Sequence, residues 1–230
     1  MTDSIALKAA VDAAMRGRHA VRAFLPTPVD DELLREILAV SSRAPSGTNL
    51  QPWRVHVLTG AARQALVDAA CALHDADGAG ETPEYDYYPR EFFGEYLARR
   101  RKIGLDLYGL LGIVKGEGAR MKAQFRRNYE FFGAPVGLIF SIDRRMGKGS
   151  WLDYGTFLQN IMLAARARGL DTCPQAAWSE YPGLVGRMLG FGEHEQLVVG
   201  MALGHADPAA IENTLATERA ALDEFVVVHR

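Results

Sequence analysis

Ala44-Pro45-Ser46-Gly47-Thr48-Asn49-Leu50-Gln51-Pro52-Trp53 is the stretch from which the fold is read, because it ends one periodic pattern and opens another. Before it, Asp30 is a good N-cap and Asp31 and Glu32 sit in a first turn, against the helix dipole. Leu33, Leu34, Ile37, Leu38 and Ser41 then recur at helical spacing. After it, Val55 and Val57 alternate with Arg54 and His56, which predicts a strand over residues 54–58. The stretch itself combines a tight backbone with hydroxyl and amide side chains. Such a loop offers hydrogen bonds to the heteroatoms of a flat ring, and Gly47 permits close approach. A plain polar helix-to-strand connection has the same composition.

Towards the N-terminus, residues 5–17 read as a helix, and Arg18, His19 and Arg22 follow in an extended segment that Pro26 and Pro28 keep from turning helical. Alternation puts Arg18 and Arg22 on one side, where two planar donor forks suit a phosphate. A solvated basic turn is the competing interpretation. Towards the C-terminus, a helix is expected near 61–73 and a long surface connection over 75–92, rich in Gly, Pro, acids and tyrosines. Helices near 90–104 and 116–132 follow, split by the apolar stretch 105–114. Residues 135–142 read as a buried strand. Ser150 opens the most apolar helix, ending at Gly169, with Asp153 approximating a capping box. Tyr154, Phe157, Leu158, Ile161, Met162, Ala164 and Ala165 cover so much of its surface that it must be buried, and a subunit interface is a natural place. Strands at 172–178 and 197–203 flank a short helix at 182–189. Phe225-Val226-Val227-Val228 reads as a strand without a neighbour in sequence. Cys173-Pro174-Gln175-Ala176-Ala177, with its small side chains, suits either a core strand or a surface lying flat against a planar cofactor. The pattern is α+β in one domain, 1–230, without a βαβ rhythm or a GxGxxG turn.

Composition sets the outer limits. Of 230 residues, 48% are hydrophobic and 23% charged, and the net charge of -2 gives no basic surface for nucleic acid. Met1-Thr2-Asp3-Ser4 opens no signal peptide and no apolar run is long enough for a bilayer, so a cytoplasmic protein without membrane partners is expected. Cys71 and Cys173 are far apart and form no metal-like cluster with the six histidines.

Taken in order and at their spacing, Arg18-His19-Ala20-Val21-Arg22-Ala23-Phe24, Pro28-Val29 and the 44–53 run resemble the N-terminal signature of the nitroreductase family. Asn160–Ala165 with Gly169–Pro174 resembles its central helix and following strand, and 198–204 with 213–225 its C-terminal part. The long middle segment and the Cys-Pro-Gln-Ala-Ala run look most like its nitrobenzoate-reductase branch. The resemblance implies a central mixed or antiparallel sheet flanked by helices, in an intertwined homodimer whose C-terminal strand is exchanged. It implies FMN at the dimer interface, NAD(P)H as donor and a small aromatic acceptor, most simply a nitroaromatic, in ping-pong turnover. Arg18, His19, Ala20 and Arg22 match the phosphate and ribityl segment, and Arg219 the C-terminal phosphate arginine. Pro45, Ser46, Gly47 and Asn49 match the loop lent to the partner's isoalloxazine. Pro174, Gln175, Ala176 and Ala177 match the strand facing the ring near N5. Catalytic side chains are not expected, because the flavin carries the chemistry. Ala20 replaces a common serine, and no glutamate follows Pro174. Enone or quinone reduction, dehalogenation, or flavin storage without turnover remain open. Residues 80–116 are expected to form a lid whose Phe92, Phe93, Tyr96 and Tyr108 stack on the acceptor. Arg99, Arg100 or Arg101 would pair with an acceptor carboxylate.

Overall fold

β2 (Val136–Asp143) carries an apolar run without alternation, as suits a strand covered on both faces, and it is buried from Val136 to Ile142. The computed structural model describes residues 4–230; Met1, Thr2 and Asp3, on which the expectation about a leader partly rests, lie outside the described residues. β2 lies between β1 (Arg54–Leu58) and β4 (Glu195–Gly204), and β3 (Asp171–Gln175) completes the order β1-β2-β4-β3. Every pair is antiparallel. Among the described residues, the one parallel pairing is a single bridge between Ala20 and Thr172.

Two helix layers cover the sheet. α2 (Asp31–Ser41) and α6 (Lys148–Arg166) pack on one face, where Leu34, Ile37, Phe140, Tyr154, Phe157 and Ile161 form one core. α3 (Gly60–Asp75) and α7 (Pro182–Leu189) cover the other, around Leu66, Tyr129, Phe131 and Trp178. Asp30 caps α2 as expected, Oδ1 accepting from the N–H of Glu32 at 2.8 Å and of Leu33 at 3.2 Å.

Several expectations are corrected. α6 starts at Lys148 on an N-cap Gly147 that makes no side-chain bond, so Ser150 is already inside the helix and no capping box forms. α4 (Gly94–Leu110) runs through the stretch expected to break it. It stops where Gly112 turns left-handed (φ +61°) and the Ile113 N–H reaches back to Tyr108 O at 2.8 Å. α5 (Gly118–Arg126) ends well before Phe132, because Phe131 and Phe132 adopt φ values of 51° and 53°. Packing holds that unusual backbone: the Phe131 ring stacks on Trp178 at 4.8 Å. β3 ends at Gln175, and Ala176–Glu180 winds into a 3-10 turn. β1 does not alternate cleanly, since Val57 is 42% exposed on this edge strand. Residues 225–228 make no strand within this chain. α8 (Leu222–Phe225) is a single turn, and Val227 beyond it is 78% exposed. α1 (Ser4–Gly17) and α4 bury no residue at all. Among the described residues, no helix is long and apolar enough to cross a membrane and no group of side chains is arranged to hold a metal.

Candidate cofactor site

α1 ends with the Arg18 N–H on Ala14 O, 3.1 Å away, and the chain then runs alongside β3. Ala20 bridges Thr172, and the Val21 N–H donates to Thr172 O at 3.1 Å. The basic segment and the Cys173-Pro174 strand are therefore neighbours. Asn213 fastens the segment from the other side: its Oδ1 accepts from the N–H of Arg22 and Ala23, and its Nδ2 donates to Ala23 O. This brings the chain after Asn213, with Arg219, to the N-terminal arginines.

The result is a cleft of about 570 Å³ lined by Arg16, Arg18, His19, Arg219 and the backbone around Asn213–Thr217. No carboxylate lines it. Burial lowers the basicity of Arg18, and the charge of Arg219 lowers it further. Arg219 is held by its own turn, donating to Thr217 O, Thr217 Oγ1 and Glu218 O. Arg22 donates to Ala20 O at 3.3 Å. Burial pushes the Cys173 thiol up to about 11, against the opposing pull of Arg22 and Arg18, which places both guanidiniums near that strand. Two cations that repel each other in a cleft without acids form a donor set for a multiply charged anion, and a phosphate monoester fits it.

The Pro45–Gln51 loop is exposed over Gly47–Gln51, and Thr48, Asn49 and Gln51 all take left-handed backbone (φ 48°, 60° and 49°). Its Gly47 is open: a Cβ there would meet only Asp153 Oδ2, at 3.8 Å. Among the described residues, no hydrogen bond or ion pair joins this loop to the arginine segment or to β3. Nor does this loop line the arginine cleft within one chain.

On β3, Pro174 is exposed and lines a second cleft with Leu158, Gly155, Tyr85, Tyr87 and Trp151. The Gln175 side chain does not face outward with it. It is buried, donating from Nε2 to Asn128 O at 2.6 Å, while its Oε1 has no partner. Ala177 is buried too, its carbonyl accepting from the Tyr129 hydroxyl at 3.3 Å. Pro174 and half-buried Ala176 are the side chains of this run that look outward.

The aromatic residues of the expected lid divide. Arg100 lies over the Phe92 ring at 4.2 Å, and Tyr108 is half-buried. Phe93 and Tyr96 meet edge to face at 5.3 Å and remain 63% and 51% exposed. Arg99 is paired with Glu224 at 3.1 Å and Glu95 at 3.6 Å, so it is not a free cation. Tyr85 is an anchor: its hydroxyl donates to Val198 O and its ring meets Trp151 edge-on. Arg16 and Asn213 were not assigned roles from sequence; an arginine at a helix end and an asparagine in a loop carry no local signal of what they reach.

The Nitroreductase family model matches residues 15–205. The chain is 43% identical over 208 residues, 90% of each chain, to a 4-nitrobenzoate reductase of Pseudomonas putida. It is 40% identical over 215 residues to a nitrobenzene nitroreductase of Ectopseudomonas oleovorans, covering 94% of this chain and 95% of the other. Among solved structures, the FMN and NADPH-dependent nitroreductase NfnB from sphigopyxis sp. strain HMH superposes with a TM-score of 0.92 at 42% identity, over 96% of this chain and 99% of that one. NfnB from Mycobacterium smegmatis, solved as an FMN-dependent nitroreductase in complex with NADPH, gives a TM-score of 0.92 at 33% identity, over 97% and 100%. The signature read along the sequence, the fold and these relatives agree, and the chain belongs to the nitroreductase family.

Proposed function

We propose that this protein is an FMN-dependent oxidoreductase that passes hydride from NAD(P)H to nitroaromatic acceptors of the nitrobenzoate and nitrobenzene kind. The observation that carries this reading is the acid-free cleft in which Arg219 sits against Arg18. FMN, when bound, supplies the redox chemistry; the residues of this chain bind and orient it. Arg18, Arg22 and Arg219 hold the phosphate, with His19 and the Ala20 backbone beside it. Pro174 and the backbone of Gln175–Ala177 back the ring near N5. Pro45, Ser46, Gly47 and Asn49 of a second copy present donors to the ring, and such donors favour its electron-rich form. That this loop does not line the arginine cleft within one chain supports a homodimer, as do the unburied α1 and α4 and the exposed tail. The single domain carries its lid at about 80–116. Buried free thiols at Cys71 and Cys173 suit a reducing cytoplasm.

The deciding observation is the visible spectrum of the purified protein before and after NADPH or NADH. A yellow protein that bleaches with the nicotinamide and recovers with a nitrobenzoate supports the reading. A yellow protein that does not bleach is a flavin store, and a colourless one that takes up no FMN removes the reading altogether. Replacing Arg22 or Arg219 by alanine should weaken FMN binding about ten-fold or more, the equivalent of one charge-assisted hydrogen bond.

A further inference from the structure

One turn of α6 grips the exposed Pro45–Trp53 connection at both ends. Asp153 Oδ2 accepts from the Gly47 N–H at 3.0 Å, and the one proton of Thr156 Oγ1 is shared between Asp153 O at 2.7 Å and Pro45 O at 3.2 Å. At the far end, the Tyr154 hydroxyl lies 2.9 Å from Arg54 O, and Phe157 stacks on Trp53 with ring centroids 4.7 Å apart. Tyr154 and Phe157 belong to the buried face, so the far end is part of the core. The near end rests on the two polar side chains.

Between these grips lie Thr48, Asn49 and Gln51, all left-handed. Asparagine tolerates that conformation, but a β-branched threonine rarely adopts it and keeps it only where the surroundings fix it. Most hydrogen bonds within the loop are local: Asn49 N–H to Ser46 O, Leu50 N–H to Gly47 O and Gln51 N–H to Ser46 Oγ. The Asp153 carboxylate is the hold that reaches the Gly47 peptide from outside the loop. It does not serve its own helix end, since α6 starts five residues earlier at Lys148. An ionised acceptor on a backbone N–H makes a short, directional bond.

We propose that Asp153 is a positioning residue of the cofactor site: by holding the Gly47 peptide it fixes the left-handed Thr48–Asn49 turn, and thereby the donors that this loop presents to the flavin ring. The inference rests on the reading that the loop serves FMN bound with a second copy. It assigns to α6 a task beyond covering the sheet, namely transmitting a core-anchored orientation to a surface loop.

The test uses the full-length protein with D153A, D153N and T156V, and N49A as a comparison. Amide hydrogen exchange over residues 45–51 is followed without flavin, and FMN affinity is titrated by fluorescence quenching. D153A should exchange faster across Gly47–Leu50 and bind FMN about ten-fold more weakly, as expected for loss of one hydrogen bond to a charged group. D153N keeps an acceptor oxygen in the same place and should restore most of both properties. T156V, which removes the hold on Pro45, should fall between. If D153A exchanges and binds like the parent while N49A loses affinity, Asp153 has no positioning role although the loop serves the flavin. If D153A loosens the loop but neither it nor N49A changes FMN affinity, the loop does not face the flavin, and the proposal falls with that part of the functional reading. If D153N behaves as D153A does, the bond to Gly47 is not what holds the loop, and the proposal is overturned.

Discussion

Asn213 Oδ1 accepts two backbone hydrogen bonds at once, from Arg22 at 2.8 Å and from Ala23 at 3.2 Å, across 191 and 190 residues of sequence. Its Nδ2 returns two more, to Ala23 O at 2.8 Å and Asp207 O at 3.0 Å. One amide thus ties the N-terminal arginine segment to the start of the C-terminal arm. Replacing Asn213 by alanine strands the N–H donors of Arg22 and Ala23, while Ala23 O and Asp207 O keep the N–H groups of Asp207 and Ala210. The expected loss is about 2–4 kcal/mol of stability, read from urea unfolding, together with weaker FMN binding. Unchanged stability would show that water takes over the asparagine's bonds without cost.

Much of this architecture is legible in the sequence, and the exceptions have a common cause. Helices α2 and α6 and strands β1, β2 and β4 announce themselves by apolar patterning, and α2 by its cap as well, all of them local signals. The left-handed Phe131 and Phe132 do not, because what holds them is the remote Trp178 ring. The apolar 105–114 stretch suggested a break, yet local propensity was enough to carry α4 through it to Leu110. At the site, Arg18 and Arg219 line one cleft, a juxtaposition that only the family resemblance foretold, while Arg22 lies beside Cys173 and does not line that cleft. The resemblance places Gln175 with Pro174 on the strand facing the ring; neighbours on a strand point to opposite faces, and the Gln175 side chain goes inward, which leaves its backbone for that role. The roles of Asn213 and Asp153 depend on partners more than a hundred residues away, beyond any local pattern.

Gly200 offers a direct test of core packing. A Cβ at this buried β4 position would stand 2.1 Å from Cδ1 of Trp178, a fully buried indole that also lies against Phe131. Gly200→Ala must displace the tryptophan, and overpacking of this kind costs about 1–3 kcal/mol or more. Gly192→Ala is the control, since a Cβ there meets nothing within 4 Å. Thermal unfolding should separate the two variants clearly; equal melting temperatures would mean that the Trp178 pocket is slack.

Acid should weaken the junction of β1, β2 and β4 through Glu195. Burial works to raise this carboxyl, but hydrogen bonds from Ser141, His56 and the Gly192 N–H, with the charge of Arg54, outweigh it and hold Glu195 below the ordinary glutamate value. Its side chain is only 8% exposed, with His56 Nε2 at 2.7 Å and Arg54 Nη1 at 3.1 Å. A carboxyl depressed in the folded state contributes stability that is present above its unfolded value, about 4.3, and is lost as pH falls through the folded one. Glu195→Gln should therefore lower stability at pH 7 and flatten the decline below about pH 4.3. Parallel stability-versus-pH curves for parent and variant would assign the acid sensitivity to other carboxyls.

The tail tests the dimer. Leu222, Phe225, Val227 and Val228 are each more than 65% exposed in one chain, although all are large and apolar. Exposed apolar residues clustered in this way mark an interaction surface, and a second copy satisfies them and any backbone groups left open. Truncation after Ala221 should yield a weaker dimer or a monomer by sedimentation, with less bound FMN. A truncated protein that remains a yellow dimer would place the interface entirely on the helices.

Acceptor specificity should follow the two exposed aromatic rings at the start of α4. α4 buries none of its residues, so its aromatic side chains do not serve a core within one chain. Phe92 already lies under Arg100, and half-buried Tyr108 packs at the helix end. Phe93 and Tyr96 touch each other and, with Arg99 lying 5.9 Å over the Tyr96 ring, both remain more than half exposed, where a flat acceptor stacks at a gain of about 0.5–1.5 kcal/mol beyond its buried area. Phe93→Ala and Tyr96→Ala should each reduce acceptor kcat/KM about three-fold or more, while flavin reduction by NADPH changes less. Phe92→Ala and Tyr108→Ala should act more on stability than on selectivity. Arg101, which makes no ion pair among the described residues, is the remaining cation for a carboxylated acceptor, because Arg99 is paired and Arg100 covers a ring. Arg101→Ala should then slow nitrobenzoate more than nitrobenzene. Stopped-flow measurement of the two half-reactions separates these effects. If all five variants turn over both acceptors as the parent does, α4 is outer packing, and the acceptor pocket is built from the Pro45–Gln51 loop and the surface around Pro174.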